Sequence, residues 1–278
     1  MTRQRTYSIT ALAAALYVFL CWAFADGMFA LDALWDSDAI AGSNIWTYVF
    51  IALIIIAGVY QARKLPDNGI AIQPTHDEAL ATPGQVDDPV WWKLLLGNVY
   101  FSLIWLPLRF FVGREWLSSG EGKVRGGDFT SGESLAGYWT NAVAVPEQGR
   151  PLISYGWYRD FLQYMLDREW YTWFADLVMW GEVLIGLGIL VGALVGIAAF
   201  FGTVMNFSFQ LAGTTSSNPV LFGLSVFLIL AWKVAGYWGL DRYLLPLLGT
   251  PWHRGAIFEG DKGAPPTTPV VGGQLRTN

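Results

Sequence analysis

The chain has 278 residues, 54% of them hydrophobic and 14% charged, with 15 Trp, a positive mean hydropathy and a formal net charge of -5. A soluble domain carries about 25% charged residues, so the deficit points to a membrane protein, and a weak acidic balance spread over loops offers no basic field for nucleic acid. One cysteine, Cys21, and two histidines, His76 and His253, speak against an internal disulfide, a CxxC pair, a zinc or iron–sulfur cluster, and a haem or chlorophyll held by histidines in the bilayer. No cofactor is expected to be bound by the chain itself; a redox role would borrow one from a partner or use a diffusible carrier.

Met1 to Thr6 carries Arg3 and Arg5, and an apolar run follows from Tyr7 to Ala25. Ala23-Phe24-Ala25 has the small-residue spacing of a signal-peptidase site, but the run is long for a signal peptide, which favours a retained first span. The next loop is acidic, with Asp26, Asp32, Asp36 and Asp38. A second span runs from about Ile45 to Tyr60 and ends at Arg63-Lys64, which places both the amino terminus and this end on the cytoplasmic side. Residues 1–64 are thus read as an N-terminal transmembrane helix pair. Residues 65–90, with Pro66, Pro74, Pro83 and Pro89 among acidic residues, read as a cytoplasmic linker. Trp91 to about Leu117 reads as the third span, kinked at Pro107 and carrying Arg109. Residues 118–171 then form an outer-face loop, in which Tyr155 to Trp170 spaces aromatic residues as an amphipathic surface helix would.

From Trp173 to Gln210 the chain is nearly all apolar. About 20 apolar residues cross the ~30 Å hydrocarbon layer, so this stretch makes a hairpin of two helices, turning within Gly192-Ala193-Leu194-Val195-Gly196. Glu182 stands near the middle of the first crossing. A charge there costs about 2.5 kcal/mol or more, which marks it as paired, functional or critical to packing. The fourth span is about Tyr171 to Val191 and the fifth about Gly196 to Ala212. A polar turn to Pro219 leads into the sixth, about Val220 to Leu240, and the chain returns to the cytoplasm at Asp241-Arg242. Residues 253–278 read as a cytoplasmic tail.

Leu108-Arg-Phe-Phe-Val-Gly113, Ser119-Gly-Glu-Gly-Lys123, Gly181-Glu182 with glycines at 186, 188 and 192, and Gly239-Leu-Asp-Arg242 follow one another in the order seen in the DoxX/DoxD family, which the chain resembles. The stretch Met205 to Pro219 is similar to the DoxD-type branch, which includes the large subunit of thiosulfate:quinone oxidoreductase. The resemblance covers about Trp91 to Trp252. It implies a DoxX-like four-helix bundle over 91–252, and with the two spans read before it the expected fold is an all-α integral membrane protein of six transmembrane helices, that bundle preceded by a two-helix N-terminal extension. The expected place is the cytoplasmic (inner) membrane, multi-pass, with both termini cytoplasmic. The function implied is a membrane subunit that binds a reduced sulfur oxyanion at the outer face and passes electrons to quinone, a diffusible acceptor.

Counted inward from the outer surface, Arg109, Glu182 and Lys233 lie about nine, eleven and fourteen residues deep, roughly 14, 16 and 21 Å. Three ionisable groups at similar depth on three helices form either a static, mutually neutralising cluster or an anion or proton site. In the second reading Glu182 and Arg109 are the catalytic pair. Arg114 and Lys123, with Asn206 and Ser216 as uncharged donors, are substrate-binding candidates on the same side, since Arg and Lys hold tetrahedral anions by charge-assisted hydrogen bonds. Trp105, Trp180, Trp232 and Tyr237 are candidates for a quinone slot or simply packing residues. The second expectation for the whole chain is a non-catalytic accessory subunit that packs against a larger respiratory or photosynthetic membrane complex.

Overall fold

A computed structural model describes residues 1–25, 27–72, 88–249 and 257. Both histidines, most of the expected linker and all of the expected tail except Ile257 lie outside the described residues. All regular structure among the described residues is helical.

Helix α1 (Arg3–Phe24) starts where the Thr2 hydroxyl accepts the Arg5 amide at 3.3 Å, an N-cap bond that satisfies one of the free amides of the first turn. Helix α2 (Ile45–Lys64) ends in Arg63 and Lys64, cations that suit the negative end of the helix dipole. The two pack as a hairpin. Gly58 of α2 lies so close to Thr10 of α1 that a Cβ there would run into the threonine side chain.

The expected third span is not one helix. Helix α3 (Val90–Gly97) stops at Asn98, whose side chain accepts the Tyr100 amide at 2.9 Å. A 3-10 segment, Val99–Ile104, leads into helix α4 (Trp105–Gly126), and the two halves are bent by 74°. Pro107 sits in the first turn of α4, where its missing N–H costs nothing, so it starts a helix and does not kink one. Residues 118–126, expected in the outer loop, belong to α4.

Beyond α4 comes helix α5 (Glu133–Val143), which the sequence reading did not anticipate, and then helix α6 (Gly156–Asp167) where a surface helix was expected. Leu135 and Trp139 of α5 and Leu162 and Met165 of α6 form one buried cluster with Ala175 and Ala212. This pair is therefore a cap on one end of the bundle. Helix α7 (Tyr171–Val191) ends at Gly192, which takes the left-handed φ of 71° that glycine adopts freely. Helix α8 (Val195–Leu211) begins after a single left-handed residue, Leu194, and its first amides, Leu194 N and Val195 N, donate to the Asp241 carboxylate at 2.5 and 3.0 Å. Helix α9 (Asn218–Leu230) is followed by the short α10 (Trp232–Ala235) and α11 (Asp241–Leu247).

The tightest seam joins α4 to α7. A Cβ built on Gly186 of α7 would lie 2.7 Å from the Leu117 Cα, and one on Gly120 of α4 would lie 2.8 Å from the Val183 amide nitrogen. Small residues at these points let the backbones touch, the usual device where no hydrophobic force drives helices together in lipid. Phe110 of α4 stacks on Phe50 of α2 at 4.6 Å and meets Tyr17 of α1 edge-on, so the N-terminal pair is packed directly on the bundle.

Three helices, α1, α2 and α7, are long and apolar enough to cross a membrane, and α3 with α4 makes a fourth if the bent pair is one span. Helices α8 and α9 are shorter apolar helices of 17 and 13 residues. The chain is a multi-pass helical membrane protein.

Candidate functional site

Under the α5–α6 cap, a cavity of about 730 Å³ opens between α4, α7, α8 and α9. Its walls are apolar and aromatic, with Trp116, Phe129, Trp139, Phe161, Phe174 and Phe209 among them. Its size falls within the ~300–1,000 Å³ typical of small-molecule sites, and apolar walls with a few convergent polar groups are what such sites share.

The charged groups of the lining, Glu115, Lys123 and Glu182, are on α4 and α7. Glu182, only 2% exposed, points from α7 into this cavity. Its Oε2 accepts from Lys123 Nζ at 2.6 Å and from the Ser119 hydroxyl at 3.0 Å, and Lys123 Nζ also donates to Ser119 Oγ at 2.8 Å. Ser119 and Lys123 are four residues apart on α4, hence one above the other on the same helix face. Glu115 lines the cavity from the same helix. A buried carboxylate is tolerable only when paired and hydrogen-bonded, and this triad supplies both conditions for Glu182.

The cap is tied down by two tyrosine hydroxyls. Tyr138 of α5 bonds the Thr214 hydroxyl, and Tyr158 of α6 donates to the Ser208 carbonyl at 3.0 Å. Burial pushes the Tyr158 hydroxyl up to about 12 and that of Tyr138 in the same direction. Ser216, a strained non-glycine residue with φ of 33°, is at the rim.

Several expected site residues are elsewhere. Arg109 is 1% exposed and all three of its nitrogens donate to backbone: Nε to the Ile189 carbonyl at 3.0 Å, Nη2 to Leu190 at 2.9 Å and Nη1 to Ala235 at 3.1 Å. It satisfies the free carbonyls at the C-terminal end of α7, at the end of the helix away from the cavity. Its position in the expected span misplaced it, because α4 extends to Gly126 and Arg109 is 14 residues, about 21 Å, from Lys123 along the axis. Arg109 and Glu182 are therefore not a pair. Arg114 is also 1% exposed and donates to the Ala41, Gly42 and Ser43 carbonyls and to Thr47 Oγ1 at 2.8 to 3.0 Å, which makes it a staple for the loop before α2 and not part of a cationic vestibule. Lys233 is exposed, its ammonium 5.9 Å from the Trp232 ring, so no buried three-charge cluster forms.

Asn206 is fully buried, and neither its amide nitrogen nor its oxygen has a hydrogen-bond partner among the described residues. It sits on α8 between Gly202 and Phe209, both of which touch Trp116. It does not line the cavity. The four suggested slot aromatics do not assemble: Trp105 is buried, its indole N–H donating to the Leu95 carbonyl at 3.0 Å, Trp180 is 53% exposed on the outer face of α7, Tyr237 is buried with Tyr100, and Trp232 borders a separate small groove at the end of α8. The aromatic walls that do form include Trp116 and Trp139, which only the tertiary fold brings together. No group of three or more metal-ligating side chains occurs among the described residues. Family models, curated proteins and solved structures contain no match to this chain.

Proposed function

We propose that the chain is the membrane subunit of a thiosulfate:quinone oxidoreductase-like system and that its cavity receives the quinone ring. The observation that carries this reading is that Glu182, the one buried carboxylate of the apolar hairpin, opens with Lys123 and Ser119 into a ligand-sized aromatic cavity. The residues fit such a ring. Flat aromatic walls suit its faces, Lys123 and Ser119 are donors for a carbonyl oxygen, and Glu182 holds or delivers a proton at that oxygen. When bound, the quinone supplies a two-electron acceptor.

A reduced sulfur oxyanion would approach at the mouth. Lys123 is the cation left there, and Ser216 and Thr214 offer hydroxyls. Arg109 and Arg114 are buried, turned to backbone carbonyls, and do not line the cavity. Electrons pass by direct contact of donor and acceptor in the cavity or through a partner subunit.

In this reading α1, α2, the bent α3–α4 pair, α7, α8 and α9 with α10 are six crossings, the short ones accommodated by local thinning of the bilayer. The cavity faces outward and both termini lie in the cytoplasm, as the positive-inside rule favours for Arg3, Arg5, Arg63 and Lys64. The bundle from 91 onward would then be DoxX-like, with α1–α2 as its extension. The use of both arginines as structural staples favours the accessory-subunit reading, so the test must separate the two.

The test is quenching of tryptophan fluorescence by menadione, followed by thiosulfate-dependent quinone reduction, in detergent-purified protein and in Glu182→Gln. Quenching with saturation, and turnover lost in Glu182→Gln at an unchanged melting temperature, is the expected result. A wild type that neither binds menadione nor turns over, and co-purifies stoichiometrically with a larger complex, supports the accessory subunit.

A further inference from the structure

Glu182, Ser119 and Lys123 are accounted for above; a second carboxylate of the same cavity is not. Glu115 lies one turn below Ser119 and two below Lys123 on α4, so residues 115, 119 and 123 form one row at about 6 Å per turn, and all three line the cavity. Unlike Glu182, Glu115 has no hydrogen bond or ion pair among the described residues.

Its surroundings give it no fixed partner. The guanidinium of its neighbour Arg114 is near enough to attract its charge but makes no ion pair with it, being turned to the carbonyls of residues 41–43 and to Thr47. From α1 the titratable neighbour is Cys21. Across the cavity stand Glu182 of α7, Tyr138 of α5 and Tyr158 of α6, while α8 and α9 bring only uncharged side chains to the lining. Beside Glu115, the Trp116 indole N–H is buried with no hydrogen-bond partner among the described residues, a second polar group left open at this depth. An unpaired carboxyl between apolar walls meets the cost of its charge by exchanging a proton.

Resting on the quinone reading above, we propose that Glu115 is the second proton-exchanging carboxylate of the cavity, reloaded from the mouth along Lys123, Ser119 and Glu182. The stoichiometry asks for two such groups. A quinone reduced to quinol takes two electrons, here from the sulfur anion, and two protons, one for each carbonyl oxygen; Glu182 supplies one and Glu115 the other. The hydrogen bonds that join Lys123, Ser119 and Glu182 form the outer part of the relay, and the remaining turn to Glu115, about 6 Å along the helix, is a gap that water in the cavity would bridge.

The experiment uses the full chain in detergent. Dicyclohexylcarbodiimide, which reacts with protonated carboxyls in apolar surroundings, is applied with and without menadione, and the labelled residue is found by peptide mass spectrometry. Turnover is measured in Glu115→Gln and Glu115→Asp. We expect Glu115 to be labelled and menadione to protect it. Glu115→Gln should keep its melting temperature and its quenching by menadione while turnover falls about 100-fold, the usual worth of a positioned proton donor, and Glu115→Asp should recover part of that loss. The proposal is overturned if Glu115 stays unlabelled while menadione still quenches the tryptophans, or if Glu115→Gln turns over like wild type. Labelling of Glu115 without quenching or protection would keep it as a proton-exchanging group and remove the quinone reading instead.

Discussion

Replacing Arg109 with alanine should unfold the protein before it touches its chemistry. The side chain is 1% exposed and spends three donors on the carbonyls of Ile189, Leu190 and Ala235, joining the end of α7 to α10. Hydrogen bonds from a charged donor contribute about 1.5–3 kcal/mol each, and a carbonyl left buried and unpaired costs about 1–3 kcal/mol. These terms overlap, so a loss of about 3–5 kcal/mol is expected, the range found when one side of a buried charged network is removed. Against a total stability of about 5–15 kcal/mol this is a large share. Thermal unfolding in detergent, followed by tryptophan fluorescence, should show Arg109→Ala melting far below wild type, and Arg109→Lys in between, since one compact ammonium cannot reach three carbonyls on two segments. An Arg109→Ala variant that melts like wild type but fails to reduce quinone would refute this account and return Arg109 to the active site.

Lys123→Met should leave Glu182 buried without its cation, lowering stability by about 2–4 kcal/mol, whereas Lys123→Met combined with Glu182→Gln should recover much of that loss in the same melt. Gly186→Val should part α4 from α7, because even a Cβ meets the Leu117 backbone; low yield or an early melt would report it, and Gly122→Ala, with nothing within 4 Å, is the matched control. The raised Tyr138 and Tyr158 hydroxyls add stability that is complete below the ordinary phenol value of about 10. The Tyr158 share of it should be lost as pH rises from there through about 12, and Tyr158→Phe should flatten the alkaline fall in melting temperature.

Helix α7 was legible almost to the residue because a long apolar run is closed by Gly192, a local signal that tertiary contacts do not overrule. Glu182 was legible for a related reason: a charge near the middle of an apolar helix, deeper than Asp176 in its second turn, is rare enough to need a partner. The partner was not. Depth counted from an expected helix end is only as good as that end, and ending α4 at Leu117 instead of Gly126 moved Arg109 towards Glu182 and Lys123 out into a loop. The break at Asn98 depends on a side chain capping Tyr100, which apolar periodicity does not register. The cavity walls are further still from the sequence, since Trp116, Trp139 and Phe174 become neighbours only when the α5–α6 cap folds back over the bundle.

The hold that Arg114 has on the loop before α2 bears on the order in which the protein is made. Its Nε donates to the carbonyl of Ala41, 73 residues earlier in the chain. During synthesis the α1–α2 hairpin would leave the ribosome with those carbonyls unserved and its Phe50 face uncovered until α4 emerges. The first two helices should therefore remain a substrate for membrane quality control for as long as that takes, and a chain stalled before α4 should be cleared, not stored.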